Sequence, residues 1–371
     1  MKLAAWITKI AASVLSLLFM SVAQAQTADE MTLPEPESVT WVPFGDARLR
    51  YERTEDIPAR ADDIDRVRAR ARVGSLYLGF DGWEFGMAGE LTFGSDDNID
   101  SRRNKDNERA DDVNLDQAYA RYSLIEQSVL LIGKAAIPVQ LSPLVWDADL
   151  RPVGVSMQSN HSLESGSAVS LNAGYFVPDF IFDDEKTRLT ALQAGYVWHE
   201  GQPTSLQALL SYLDFSKLDV LARNGVGRTN RRLGPRFLSD YELLDLQVIL
   251  NTEVFDWPLR FAVEGVQNLS ADDLAQVNDL DQGGRTSLVI GDMNKGGFEF
   301  GFAYQRAQRD AVLSAAADDD WWFQSFARGG MPWIGYGFSP NLAMRVSAFD
   351  ERRDQIAKNT KRVLLDLTAS W

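Results

Sequence analysis

The arginines of "RVRARARVGSLYLGF" fall at 66, 68, 70 and 72, with Val67, Ala69, Ala71 and Val73 between and after them. Alternate residues of an extended strand face opposite ways, so this spacing gathers four guanidinium groups on one face and four apolar side chains on the other. A row of fixed cations attracts anions and orients dipolar solutes; it does not break bonds. Groups that would break bonds are scarce. His161 and His199 are the only histidines, no G-x-S-x-G turn occurs, and "HEGQP" lacks the second histidine of a zinc helix, so no enzyme is expected. "NDLDQGGR" starts like a calcium loop and lacks its closing Glu, so neither a metal site nor a cofactor is expected.

Positioning such a row requires a strand whose two faces meet different media. A soluble β-sandwich would hide Val67 and its neighbours and wet the arginines. A barrel in a membrane would turn them to lipid and enclose the arginines. Several observations favour the second. Lys2 and Lys9, the apolar run 10–20 and Ala23-Gln24-Ala25 form a secretory signal, expected to occupy residues 1–25. Beyond it no segment approaches the ~20 apolar residues of a membrane helix. There is no cysteine and hence no disulfide scaffold, and the net charge of −16 speaks against a nucleic-acid partner. Period-2 apolarity recurs in "YELLDLQVIL", "WPLRFAVEG" and "GGFEFGFAYQR". Sixteen strands are expected within residues 44–371, after a short extension at 26–43. Their connections alternate between short turns such as "DG" and "SP" and long polar loops such as "SDDNIDSRRNKDNERADDV", the pattern of an all-β transmembrane antiparallel barrel with its short turns in the periplasm. Tyr51, Trp83, Tyr122, Trp198 and Tyr304, at strand ends, suit the aromatic girdles of such a barrel.

With lipid outside, the reverse register would place four guanidiniums in the bilayer at ~2–4 kcal/mol each near its midplane. Arg66, Arg68, Arg70 and Arg72 are therefore expected to face the lumen, joined by Arg48 and Arg50 from the first strand, Arg121 from the fourth and Lys134 from the fifth. That basic wall would favour small anions. The alternative is that these arginines fill the lumen, paired with Glu52, Glu84, Glu90 and loop carboxylates. Between the fifth and sixth strands, "AAIPVQLSPLVWDADLRPVGVS" is apolar and proline-bearing, unlike its acidic neighbours; residues 136–152 are expected either inside the barrel or as a lid on its rim. The acidic clusters Asp96-Asp97, Asp111-Asp112, Asp183-Asp184-Glu185 and Asp318-Asp319-Asp320 are expected in external loops, solvated or bridged by divalent cations to lipopolysaccharide.

The ending "KRVLLDLTASW", apolar on one face and closed by Trp371, resembles the insertion signal read by the barrel-assembly machinery of Gram-negative bacteria. The strings "DQAYARY", "LLIGKAAIPVQ", "LVWDADLRPVG" and "DAVLSAAADDDWW" resemble the putative porins of Gram-negative outer membranes, "VWDADL" most specifically. The resemblance implies an outer-membrane porin that passes small anionic or neutral hydrophilic solutes by diffusion, surrounded by outer-membrane lipid and lipopolysaccharide, and possible as a homotrimer. It also implies that 136–152 folds inward as the constriction, with Trp146, Asp147, Asp149 and Arg151 near its eyelet. The chain departs from the family pattern at Pro152, which Val153 follows where an acidic residue is common. A closed structural or adhesive barrel, acting through acidic external loops, is the other reading of the same features.

Overall fold

The computed structural model describes residues 40–59, 63–95, 112–125, 127–177, 187–223, 227–271 and 280–371. The signal segment, and the acidic clusters at 96–97, 111 and 183–185, lie outside these residues. The strands are β1 (Thr40–Glu55), β2 (Ile64–Phe80), β3 (Trp83–Gly94), β4 (Asp112–Ile125), β5 (Ser128–Lys134), β6 (Val153–Ser162), β7 (Ala168–Val177), β8 (Arg188–Trp198) and β9 (Ser205–Ser216). After the short helix α1 (Asp219–Arg223) and the hairpin of β10 (Arg232–Leu233) and β11 (Arg236–Phe237) come β12 (Tyr241–Val254), β13 (Trp257–Asn268), β14 (Gln282–Gly291), β15 (Gly297–Ala307), β16 (Ala327–Ser339), β17 (Leu342–Arg353) and β18 (Thr360–Ser370). All but β10 and β11 join in one closed barrel, each strand antiparallel to the next in the chain, and β18 returns to β1. The barrel thus has the sixteen strands expected, and its first strand starts at Thr40, inside the expected 26–43 extension.

Closure removes every sheet edge, which in a bilayer would leave backbone groups without partners. The seam is made by residues far apart in the chain. Asp46 lies opposite Ser370 and Glu55 opposite Lys361, and beyond this ladder Gly45 and Trp371 exchange both backbone hydrogen bonds at 3.1 Å. Gly45 is required there, because a Cβ would stand 2.5 Å from the Arg72 carbonyl and 2.6 Å from the Trp371 ring.

Along β2 the two faces separate as the alternation demands. Val67 and Val73 are 45% and 56% exposed, whereas Arg66, Arg68, Arg70 and Arg72 are each 2% exposed. Leu49, Met87, Phe93, Leu246, Val263, Phe302 and Leu365 join the outward apolar surface. At the short-turn rim this surface ends in clustered rings: Trp83 lies 4.7 Å from Tyr122, and Phe298 lies 4.8 Å from Tyr336. The turn from β12 to β13 is only Phe255-Asp256, both at positive φ, a hairpin conformation usually left to glycine or asparagine. Its Phe255 ring stands 93% exposed, where interface lipid would cover it.

The core lies inside the barrel and not between layers. Leu189, Ala191, Leu213, Phe215, Tyr241 and Leu243 of β8, β9 and β12 face inward near the long-loop rim. Two connections fold down onto them: residues 135–152 bring Ile137, Val139, Leu144, Val145, Trp146 and Leu150, and residues 308–326 bring Ala311, Val312, Leu313 and Ala315–Ala317. The second is a correction. The segment with Asp318-Asp319-Asp320, expected outside in water, is buried throughout 310–321.

Candidate pore lumen

The arginine row is built by cross-strand register between β1 and β2. Arg48 lies opposite Arg70, Arg50 opposite Arg68, Glu52 opposite Arg66 and Asp46 opposite Arg72. Directly opposed like charges destabilise a sheet, so two of these four pairs need carboxylates from elsewhere. Carboxylates come from β1 itself, from β18 and from both inward loops. Glu52 of β1 receives Arg66 at 2.7 Å and Arg362 of β18 at 3.1 Å. Asp46 receives Arg72 at 2.7 Å and Arg70 at 3.1 Å. Arg50 meets Asp366 of β18 at 3.2 Å and Asp320 of the second inward loop at 3.7 Å. Asp149 of the first inward loop lies 3.3 Å from Arg70 and 3.6 Å from Arg72. Arg48 and Arg68 are buried in the same row. The wall is therefore a dense ionic lattice that ties β18, β1, β2 and both loops together.

Arg121 also faces inward, where Glu84 holds it at 3.3 Å near the short-turn rim. Lys134 does not. It shares a row with Ile132, which is outward at 51% exposure, and donates to the Leu115 carbonyl on the outside. The run Leu130-Leu131-Ile132 leaves the alternation of β5 ambiguous in sequence, and the register resolves it against the expectation.

The first inward loop takes its shape from Asp147. Its carboxylate accepts from the Asp149 amide at 2.9 Å, its carbonyl from Leu150 at 3.0 Å, and its own amide donates to the Ala316 carbonyl of the second loop at 2.8 Å. This turn presents Asp149 to the arginines and lets Arg151 reach Asp116 at 3.9 Å, while Trp146 packs into the core. On the opposite wall Gln193 and Gln247 clasp the backbone of Gln140, the former at 3.0 and 2.8 Å and the latter at 3.1 Å, and Ser142 donates to Glu264. The loop thus spans the lumen from an amide wall to an arginine wall.

The second inward loop is pinned at both ends. Asp310 accepts from the Arg231 amide at 2.9 Å, from Ser239 at 2.8 Å, from Tyr241 at 3.2 Å, and from the Arg231 guanidinium. Thr229, Ser314 and Ser325 close a triangle of hydroxyl bonds at 2.8–2.9 Å. At the far side the Glu351 carboxylate accepts the amides of Trp322 and Phe323 at 2.8 and 3.0 Å, and Arg362 donates to the Asp320 carbonyl. The small residues of "SAAAD" and the hydroxyls flanking them were the available sequence signal for such close packing.

Below the two loops the lumen holds Arg285 of β14, Arg345 of β17 and Trp333 of β16, all partly exposed. His161 and His199 sit at the short-turn rim, bonded to Ser159 at 2.8 Å and stacked on Trp198 at 3.6 Å, apart from this lumen.

A closed barrel of sixteen antiparallel strands, apolar outside, charged inside and narrowed by inward loops, defines the porins of the Gram-negative outer membrane, and that membrane is where this chain resides. The family model described as putative porin matches residues 45–234, just over half of the chain, and the chain belongs to that family. Among solved structures the chain is similar to OprB of Pseudomonas putida, with TM-score 0.57 at 13% identity over 89% of this chain and 94% of that one. It is also similar to a loop-deletion mutant of OmpT from Vibrio cholerae, with TM-score 0.51 at 14% identity over 90% and 100%. A mutant of the Rhodopseudomonas blastica porin gives 0.51 at 12% identity over 90% and 100%. At such identities the likeness is one of fold. No curated protein matches the chain in sequence.

Proposed function

We propose that the protein is a passive diffusion channel for small hydrophilic solutes that favours anions and carries out no catalysis. The observation that carries the reading is the lumen itself: beneath the two loops it keeps charged and amide side chains partly exposed, among them Arg121, Gln207, Arg260, Arg285 and Arg345. At sixteen strands a barrel is wider than its own side chains fill, so inward loops set the bore. Among the described residues Arg260, Arg285 and Arg345 have no carboxylate within ion-pair distance, which supports an anion preference. The carboxylates around the β1–β2 row weaken that row's share of it.

A second reading has an observation of its own. Residues 310–321 are buried, and the loops meet each other at Asp147–Ala316 and Asp318–Pro143, which favours a closed structural barrel. Planar-bilayer recording separates the two. Stable unitary conductance with a reversal potential on the anion side in a salt gradient supports the channel; a silent bilayer, with heat-modifiable protein confirmed on gels, supports the closed barrel.

A further inference from the structure

Charge selection in a channel is decided by fixed charge that meets water and is not already neutralised by its neighbours. The β1–β2 row fails that test, since its ion pairs are internal to the lattice and its side chains are sealed. Two other arginines meet it. Arg345 of β17 lies over the face of Trp333, its guanidinium carbon 4.4 Å from the ring centroid, and Arg285 of β14 lies 5.8 Å from that of Trp321. Both are partly exposed, and among the described residues neither has a carboxylate within ion-pair distance. Arg285 gives one hydrogen bond, to Gln305 at 2.8 Å; Arg345 gives none, and its buried Nε lacks a partner.

Each nearby acid has a hydrogen-bond donor other than these two arginines. Asp366 accepts from Arg50 at 3.2 Å, Glu299 accepts from the Trp333 indole at 2.9 Å, Glu264 accepts from Ser142, and Asp318 accepts from the Asp320 amide at 2.7 Å. A guanidinium with no carboxylate within ion-pair distance, in a low-dielectric lumen, calls for a counter-anion. Its place over the Trp333 face also holds the Arg345 guanidinium with its edge free, the posture in which arginine grips a planar carboxylate through paired donors.

We propose that Arg345, lying over Trp333, and Arg285, facing Trp321, are the anion-binding groups of the lumen and that their ligands are small carboxylates. This rests on the channel reading above and locates its selectivity away from the β1–β2 row.

The test uses the assembled protein in planar bilayers, with potassium chloride and potassium acetate as probes. The double variant Arg285→Gln with Arg345→Gln is expected to move the chloride reversal potential toward the cation side. It is also expected to raise the acetate concentration for half-saturating conductance by about tenfold, the weight of one charge-assisted hydrogen bond. The pair Arg285→Lys with Arg345→Lys keeps the charge and loses the planar fork, so it should restore the chloride reversal potential and leave the acetate half-saturation raised. Heat-modifiable mobility checks that each variant is a closed barrel. Unchanged selectivity and acetate saturation in the glutamine pair would overturn the site, and full recovery of acetate saturation by the lysine pair would overturn its preference for carboxylates. A silent wild-type channel would overturn the diffusion reading instead; saturation-transfer NMR of acetate on the detergent-solubilised barrel would then still decide the site, by contact in the wild type and its loss in the glutamine pair.

Discussion

Arg70 and Arg345 are the same residue type in the same lumen, and their neighbours give them different work. Arg70 touches Asp46 at 3.1 Å, Asp149 at 3.3 Å and Glu90 at 3.9 Å; Arg345 has an indole beneath it and no carboxylate within 4 Å among the described residues. The first is a brace, because its charge is spent on holding two strands and a loop. The second keeps its charge for whatever enters. Counting lumenal arginines therefore says little about selectivity until each one's partners are known.

The sharpest way to break the contrast is to attack the brace where one acid serves two arginines. Glu52→Ala removes the carboxylate shared by Arg66 and Arg362, both sealed from water, and should destabilise the barrel by about 3–5 kcal/mol, the cost of leaving buried charge uncompensated. Urea titration of the heat-modifiable band measures it. If the row were a filter instead, the variant would keep its stability and change its ion preference.

A smaller effect is expected from Asp310→Asn, which weakens the anchor of the second loop without touching either arginine set. One carboxylate with four donors from Arg231, Ser239 and Tyr241 is lost, at about 2 kcal/mol. The expected readout is a noisier, larger unitary conductance with unaltered ion preference. Conductance identical to wild type would mean that the loop does not set the bore.

Least should come of Lys134→Ala. Because this lysine faces outward, its loss should shift stability by no more than ~0.5 kcal/mol and leave the reversal potential in place. A measurable change in selectivity would return Lys134 to the lumen and break the register argument.

Most of the barrel was legible because a strand in a bilayer has only two faces, and sixteen segments repeated that alternation. Residues 136–152 were legible for a related reason: an apolar loop among acidic ones has to find an apolar partner. The loop at 308–326 was not, although "DAVLSAAADDDWW" stood out as a string. Three successive aspartates read as solvent-seeking, and nothing local shows that Arg228 would meet Asp319 at 3.3 Å or Arg50 meet Asp320 at 3.7 Å. Burial of an acid is decided by bases distant in sequence, and only the closed barrel brings them together. The same limit hid the site at Arg285 and Arg345. The inward row of each strand was readable, but which arginines were already neutralised depended on how Asp366, Glu299 and Glu264 were occupied.

The seam between β1 and β18 has a kinetic meaning. Arg50 and Asp366, which meet across it, are 316 residues apart in the chain. Loop-closure entropy on that scale is met by no local contact, so every other strand pair is free to form before this one. Until β18 docks, the sheet has two open edges, and another chain fits them as well as its own does. The Gly45–Trp371 hydrogen-bond pair, with the ring lying over a position where no side chain is tolerated, is a latch at the end of that last strand. It gives the chain's own β18 an advantage over a stranger's strand at the step when the barrel is most exposed to one.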